Sequence, residues 1–152
     1  MTRPPVTLTL TEVEALARAA HEGQTDKAGR PYAEHLAAVA EGVRLRGGTV
    51  EQQAAAWLHD SVEDEALSPA RFAALALPDT VRAMVLALTK RPGEPLEAYA
   101  DRVLTTPGAL LVKEADIAHN ADPVRLSVLD TPTRDRLSAK YAYVRSLLGI
   151  TT

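Results

Sequence analysis

The chain is predicted to be all-α and to form a single domain, on three observations. Hydrophobic residues make up 46% of its 152 residues but aromatics only 4%, so Ala, Leu and Val must fill most of the interior. That composition suits closely packed helices better than a sheet. Apolar residues recur at spacings of three and four, and no segment alternates cleanly with a period of two. Pro and Gly punctuate short intervals throughout, with no fixed-period repeat or low-complexity linker to mark a boundary. A chain of this length fits one core that buries about two-thirds of the unfolded surface.

Thr11 is placed to cap a first helix that carries Val13, Leu16, Ala17 and Ala20 on one face and stops at Gly23. The segment from Gln24 to Pro31 reads as a cationic loop containing Lys27, Gly29 and Arg30. A second helix is predicted from Tyr32 to Arg46, ending at Gly47 and Gly48. Thr49 and Gln52 then form a capping box for a third, which is expected to continue as far as Glu63 and Asp64. Ser68-Pro69 opens a short fourth helix, Pro78 a fifth ending near Lys90, and a sixth covers Pro95 to Leu104. Pro107 fits the first turn of a seventh helix running to Asn120, and Pro123 bars simple continuation. The last helix, from Thr133 to Leu148, carries a core-facing stripe of Leu137, Tyr141, Val144 and Leu148. The count is seven to eight helices.

Composition also narrows the function. A net charge of −3 lacks the basic excess of a nucleic-acid binder, so no polymeric nucleic acid is expected as partner. The absence of cysteine excludes disulfides, thiolate metal ligands and a cysteine nucleophile. No apolar run reaches the roughly 18 residues of a membrane span and the N-terminus lacks a signal-peptide core, so a cytoplasmic location without a membrane partner is the expectation.

The chemistry is concentrated in the third predicted helix and its surroundings. Helical spacing puts His59 and Glu63 on one face, with Asp60 and Asp64 on the adjoining one. With Glu65 beside them, these carboxylates would repel one another if buried without a cation. Asp60 can join His59 on one divalent ion, and His35 with Asp116 completes a set of two nitrogens and two oxygens. Such mixed ligation with room for water suits a hard or borderline ion, Mn²⁺ being the first choice.

Five segments stand in an order that resembles the HD superfamily, and within it the hydrolase domain of the RelA/SpoT homologues, including the small alarmone hydrolases. They are Ala20-His21-Glu22-Gly23-Gln24 with Lys27; Gly29-Arg30-Pro31-Tyr32-Ala33-Glu34-His35; and Leu58-His59-Asp60-Ser61-Val62-Glu63-Asp64. Leu88-Thr89-Lys90 and the stretch from Val112 to Asn120 complete the series. The resemblance implies a helical HD bundle in which His35, His59, Asp60 and Asp116 bind Mn²⁺ while Glu63 and Asp64 handle the attacking water. It also implies substrate contacts by Asn120 and Tyr141, and hydrolysis of the 3'-pyrophosphate of guanosine tetra- or pentaphosphate, a small phosphorylated nucleotide.

Two positions depart from that pattern. The alarmone hydrolases commonly carry an Arg before the loop lysine, packed against guanine, where this chain has Asp26; Arg30 is the candidate to replace it. Glu65 stands where a Thr is common. The loop cation Lys27 belongs with the phosphate-binding candidates, and Lys113, three residues before Asp116, is either a further phosphate ligand or a solvated lysine. His21 reads as structural, His119 as a support or packing residue, Trp57 as core, and Lys90 and Arg91 as charges favoured at a helix C-terminus. Two other functions fit the same motifs: a phosphatase of another nucleotide or an NADPH-like cofactor, and a nucleotide-sensing module without turnover.

Overall fold

In the computed structural model, which describes residues 7–150, these residues form nine helices and no strand. They are α1 (Leu10–Ala20), α2 (Tyr32–Leu45), α3 (Val50–Leu58), α4 (Pro69–Ala74), α5 (Asp79–Leu88), α6 (Leu96–Thr105), α7 (Ala109–Asn120), α8 (Pro123–Ser127) and α9 (Thr131–Leu148). The all-α expectation holds. None of these helices is long and apolar enough to cross a membrane.

The helix α3 occupies the centre. Its last five residues, Ala54, Ala55, Ala56, Trp57 and Leu58, are all buried, and α1, α2, α5 and α7 pack around it. The run of three alanines is what permits several backbones to approach one helix. A second close approach joins α2 to α7, where a Cβ added at Gly42 would stand 3.3 Å from Ala115 Cβ. Together these contacts bring His35 of α2 and Asp116 of α7 beside the C-terminal end of α3. Val39, Val43, Leu58, Val112 and Ile117 of these helices are buried in the core.

Several helix ends differ from the sequence expectation. The cap of α1 is Thr9, not Thr11: its side chain accepts from the Glu12 amide while Glu12 returns a bond to the Thr9 amide, the reciprocal capping arrangement. The capping box predicted at Thr49 and Gln52 is present. Pro107 lies outside α7, whose N-cap is Gly108 in the left-handed region at φ 85°. Pro123 does bar continuation of α7, but it also supplies the first turn of α8, a helix the sequence reading omitted; Asp122 caps it. Asp130 caps α9, which begins at Thr131, two residues ahead of the predicted start.

The largest correction concerns α3, which stops at Leu58 instead of running to Asp64. At the break the Ser61 amide and hydroxyl both bond to Leu58 O, a turn in place of the helical ladder. One helix-like bond survives, from the Asp64 amide to Asp60 O, before Glu65 takes a φ of 60°. The two ridges expected on a continuous helix, His59 with Glu63 and Asp60 with Asp64, therefore do not form.

Candidate functional site

Three elements bring His35, His59, Asp60 and Asp116 to one point, with one ligand atom from each lying within 4.8 Å of all the others. Asp116 Oδ1 is 3.0 Å from His35 Nε2 and 3.2 Å from His59 Nε2. Asp60 Oδ2 is 3.1 Å from His59 Nε2 and 3.7 Å from His35 Nε2. An ion about 2.1 Å from each donor separates neighbouring donors by roughly 3.0 Å in an octahedron and roughly 3.4 Å in a tetrahedron. Three of the four separations fall in that range and the fourth, 3.7 Å, lies just above it, so the cluster can hold one metal ion after a small inward shift.

The hydrogen bonds behind His59 favour a cation as well. Its Nδ1 is 2.6 Å from Ala56 O, and a carbonyl only accepts, so Nδ1 carries the hydrogen. In the neutral ring Nε2 is then a lone pair facing two carboxylate oxygens, an arrangement that a proton or a metal must resolve. Burial alone would depress the His59 imidazolium, but Asp60 and Asp116 outweigh it and raise the pKa well above the usual histidine value. Burial also opposes ionisation of Asp116, yet Lys113 and the two histidines hold its carboxyl well below the usual range.

The surrounding shell is fully engaged. Lys113 donates to Asp116 Oδ2 at 3.0 Å and lies over the ring of Tyr99. Asn120 donates to Asp116 Oδ1 at 3.1 Å. The Tyr32 hydroxyl donates to Asp60 Oδ2 at 2.5 Å, and burial with the neighbouring carboxylates raises its pKa.

Glu63 and Asp64 leave the cluster in different directions. Glu63 Oε1 accepts from the Lys90 amide at 2.6 Å, while Asp64 Oδ2 accepts from Gln24 Nε2 at 3.0 Å. Burial raises the pKa of both carboxyls, and the charge of Asp60 adds to the effect. Both line a cavity of about 410 Å³ that also reaches Asp60 and Asp116. Its walls hold Lys27, Lys90, Lys113, Lys140 and Arg125, with Tyr32, Tyr99 and Tyr141 and apolar side chains that include Leu126, Leu129, Leu137 and Val144.

Of the sequence candidates, His35, His59, Asp60 and Asp116 thus meet, and Glu63, Asp64, Lys27, Lys113, Asn120 and Tyr141 line the adjoining cavity. Arg30 does not join them. It is exposed and forms a two-pronged ion pair with Glu34 on α2, 2.7 Å at its shortest. Glu65 is exposed and outside the cavity wall. His21 is buried as expected of a structural residue, bonding Gln24 through Nδ1 and stacking on Tyr32.

Sequence reasoning missed Arg125 and Lys140. Arg125 pairs with Asp26 at 2.8 Å, so the acidic residue found where a cation was expected is matched by a cation from α8. That unusual acid was the available signal. Lys140 lies three residues after Leu137 and four before Val144, on the very face already read as the core stripe of the last helix. Burial, then Lys113, Lys90 and Lys27, lower its pKa, which reports how closely these cations crowd one space.

The chain matches no protein-family model and no curated protein. Fold and site by themselves define an all-helical protein with a buried histidine-aspartate cluster able to hold one metal ion, opening into a cavity lined by lysines and acids.

Proposed function

We propose that this chain is a divalent-metal-dependent phosphohydrolase of the HD type acting on a small phosphorylated nucleotide. The first substrate to consider is guanosine tetra- or pentaphosphate, cleaved at its 3'-pyrophosphate. The observation that carries the reading is one continuous site: four ligand atoms within 4.8 Å of one another, opening into a cavity whose wall includes four lysines and the carboxylates of Glu63 and Asp64. Mn²⁺ is the ion we assign to His35, His59, Asp60 and Asp116, since nitrogen-oxygen ligation without thiolates suits it. When bound, it supplies Lewis-acid activation of water and of the phosphoryl group.

The remaining chemistry belongs to side chains. Glu63 and Asp64, with raised carboxyl pKa values and a shared cavity wall, orient the attacking water and accept its proton. Lys27, Lys90 and Lys140 neutralise phosphate oxygens, and the phosphate relieves their mutual repulsion. Lys113 is tied to Asp116, so it holds that carboxylate ionised and in place while facing the same cavity. The apolar lining residues and the three tyrosines receive the nucleoside. Hydrolysis then consumes one water and releases pyrophosphate with GDP or GTP.

Purified protein with Mn²⁺ is expected to release pyrophosphate from ppGpp, and Asp60→Ala to abolish that release. Activity that survives the substitution refutes the assigned site. A second reading, a phosphatase of another nucleotide or of an NADPH-like cofactor, is favoured by one observation: the position of the usual guanine-packing cation is an acid already bound to Arg125. A panel of phosphorylated nucleotides separates the two, because orthophosphate replaces pyrophosphate as product. Tight nucleotide binding with no product under any divalent ion identifies a sensing module instead.

A further inference from the structure

Behind His35, on the side away from Asp116, four charged or polar side chains from the loop, α7 and α8 form a continuous chain of hydrogen bonds. Asp26 accepts from the Ala28 and Arg30 amides through Oδ1 and from Arg125 through Oδ2. Arg125 Nη1 lies 3.0 Å from Asn120 Oδ1, 3.0 Å from His119 Nδ1 and 3.3 Å from His35 Nδ1. His119 Nδ1 is in turn 2.7 Å from His35 Nδ1, with the ring planes 27° apart and the rings meeting edge to edge.

The polarity of these bonds follows from what each group can donate. A guanidinium has no acceptor, so Arg125 donates, and the nearer ring nitrogen, His119 Nδ1, receives the hydrogen bond through its lone pair. The 2.7 Å contact between two ring nitrogens still needs one hydrogen, and only His35 is left to supply it. His35 is then protonated on Nδ1, and its Nε2 faces Asp116 and Asp60 as a lone pair. That is the state the Ala56 carbonyl imposes on His59.

We infer that Asp26, Arg125 and His119 form a relay that fixes the tautomer of His35 and so presets it as a metal ligand. The inference rests on the metal site proposed above. It gives Asp26 a role: with its carboxylate saturated by Arg125 and two loop amides, it anchors the relay and ties the loop after α1 to α8. The three are positioning residues; none touches a reacting atom. Partners behind ligating imidazoles set both ring orientation and ligand basicity, and their loss typically weakens metal binding by roughly 10- to 100-fold.

The alternative polarity is specific. If Arg125 donated to His35 Nδ1 instead, His35 would carry its hydrogen on Nε2, donate to Asp116 and be unfit to bind a metal. Heteronuclear NMR of the histidine ring nitrogens in metal-free protein distinguishes the two tautomers, and the relay predicts Nδ1–H at His35. His119→Asn keeps an acceptor near the same place and is expected to preserve that tautomer and Mn²⁺ affinity. His119→Leu removes the acceptor, and calorimetry is expected to read Mn²⁺ binding weakened by roughly 10- to 100-fold.

A wild-type His35 protonated on Nε2, or a folded His119→Leu protein binding Mn²⁺ as tightly as wild type, overturns the relay. Should His119→Leu fail to fold, the wild-type tautomer and the affinity of His119→Asn still decide. If the wild type binds no divalent ion at all, it is the metal reading that fails, while the NMR result judges the hydrogen-bond polarity separately.

Discussion

Mn²⁺ is expected to stabilise the wild-type chain against heat and to do almost nothing for Asp116→Asn. Asp116 Oδ1 is the ligand atom shared by both imidazoles, at 3.0 Å and 3.2 Å, and its charge is the one held most firmly by the surroundings. The unfolded chain disperses the four donors, so binding favours the native state by RT ln(1 + [L]/Kd), about 2.7 kcal/mol at a free ion concentration of a hundred Kd. For a domain of this size each kcal/mol moves Tm by about 2–4 °C, giving a rise of roughly 5–11 °C. A hundredfold loss of affinity at the same ion concentration leaves about 0.4 kcal/mol, or roughly 1 °C. Asp116→Asn also removes the partner of Lys113, which lowers the metal-free Tm, so the shift has to be read within each protein. Circular dichroism melts with Mn²⁺, and then with excess chelator, provide the assay. A wild-type Tm that ignores Mn²⁺, Zn²⁺ and Mg²⁺ alike, or an equal shift in Asp116→Asn, refutes the reasoning.

Two further expectations concern stability. Glu94 accepts from Arg102, which also bonds Ala87 O and Thr89 O at the end of α5, and this pairing lowers the Glu94 pKa from 4.5 to about 2. A carboxyl depressed in the folded state stabilises it fully above its unfolded pKa. The advantage of wild type over Glu94→Gln in urea midpoint should therefore hold above pH 4.5 and shrink as pH falls towards about 2; an advantage independent of pH contradicts the pairing. Gly108→Ala should cost more than Gly47→Ala. Both positions have positive φ, worth about 1–2 kcal/mol for a side chain, but only at Gly108 would the new Cβ lie 2.8 Å from Met84 Sδ. Equal urea midpoints for the two variants dispose of the clash.

The individual helix ends show where local reading succeeds and where it stops. The box at Thr49 and Gln52 is contained within four residues, so it could be identified without any fold. Thr9 and Thr11 each have a glutamate three residues on, Glu12 and Glu14, so the local pattern does not choose between them; in the fold Thr9 and Glu12 make the reciprocal bond while Glu14 pairs with Arg18. The end of α3 was less legible because Leu58-His59-Asp60-Ser61 continues a helical pattern, and the turn that replaces it carries no Gly or Pro to mark it. Arg125 remained hidden for a different reason: α8 is five residues long, too short for periodicity to register.

The amino-acid order alone pointed to an all-helical class and to His59, Asp60, Glu63 and Asp64 as neighbours, because residue chemistry and short-range spacing are local properties; His35 and Asp116, far from them in the chain, were named through the order of segments shared with the HD superfamily. Tertiary packing decided the rest. It set the distances among donors on three separate elements, sent Glu63 to Lys90 and Asp64 to Gln24, and turned Arg30 out to Glu34 while Arg125 came in to Asp26. The direction of a long side chain depends on which partners, distant in sequence, arrive within reach of it, and only the folded chain supplies them.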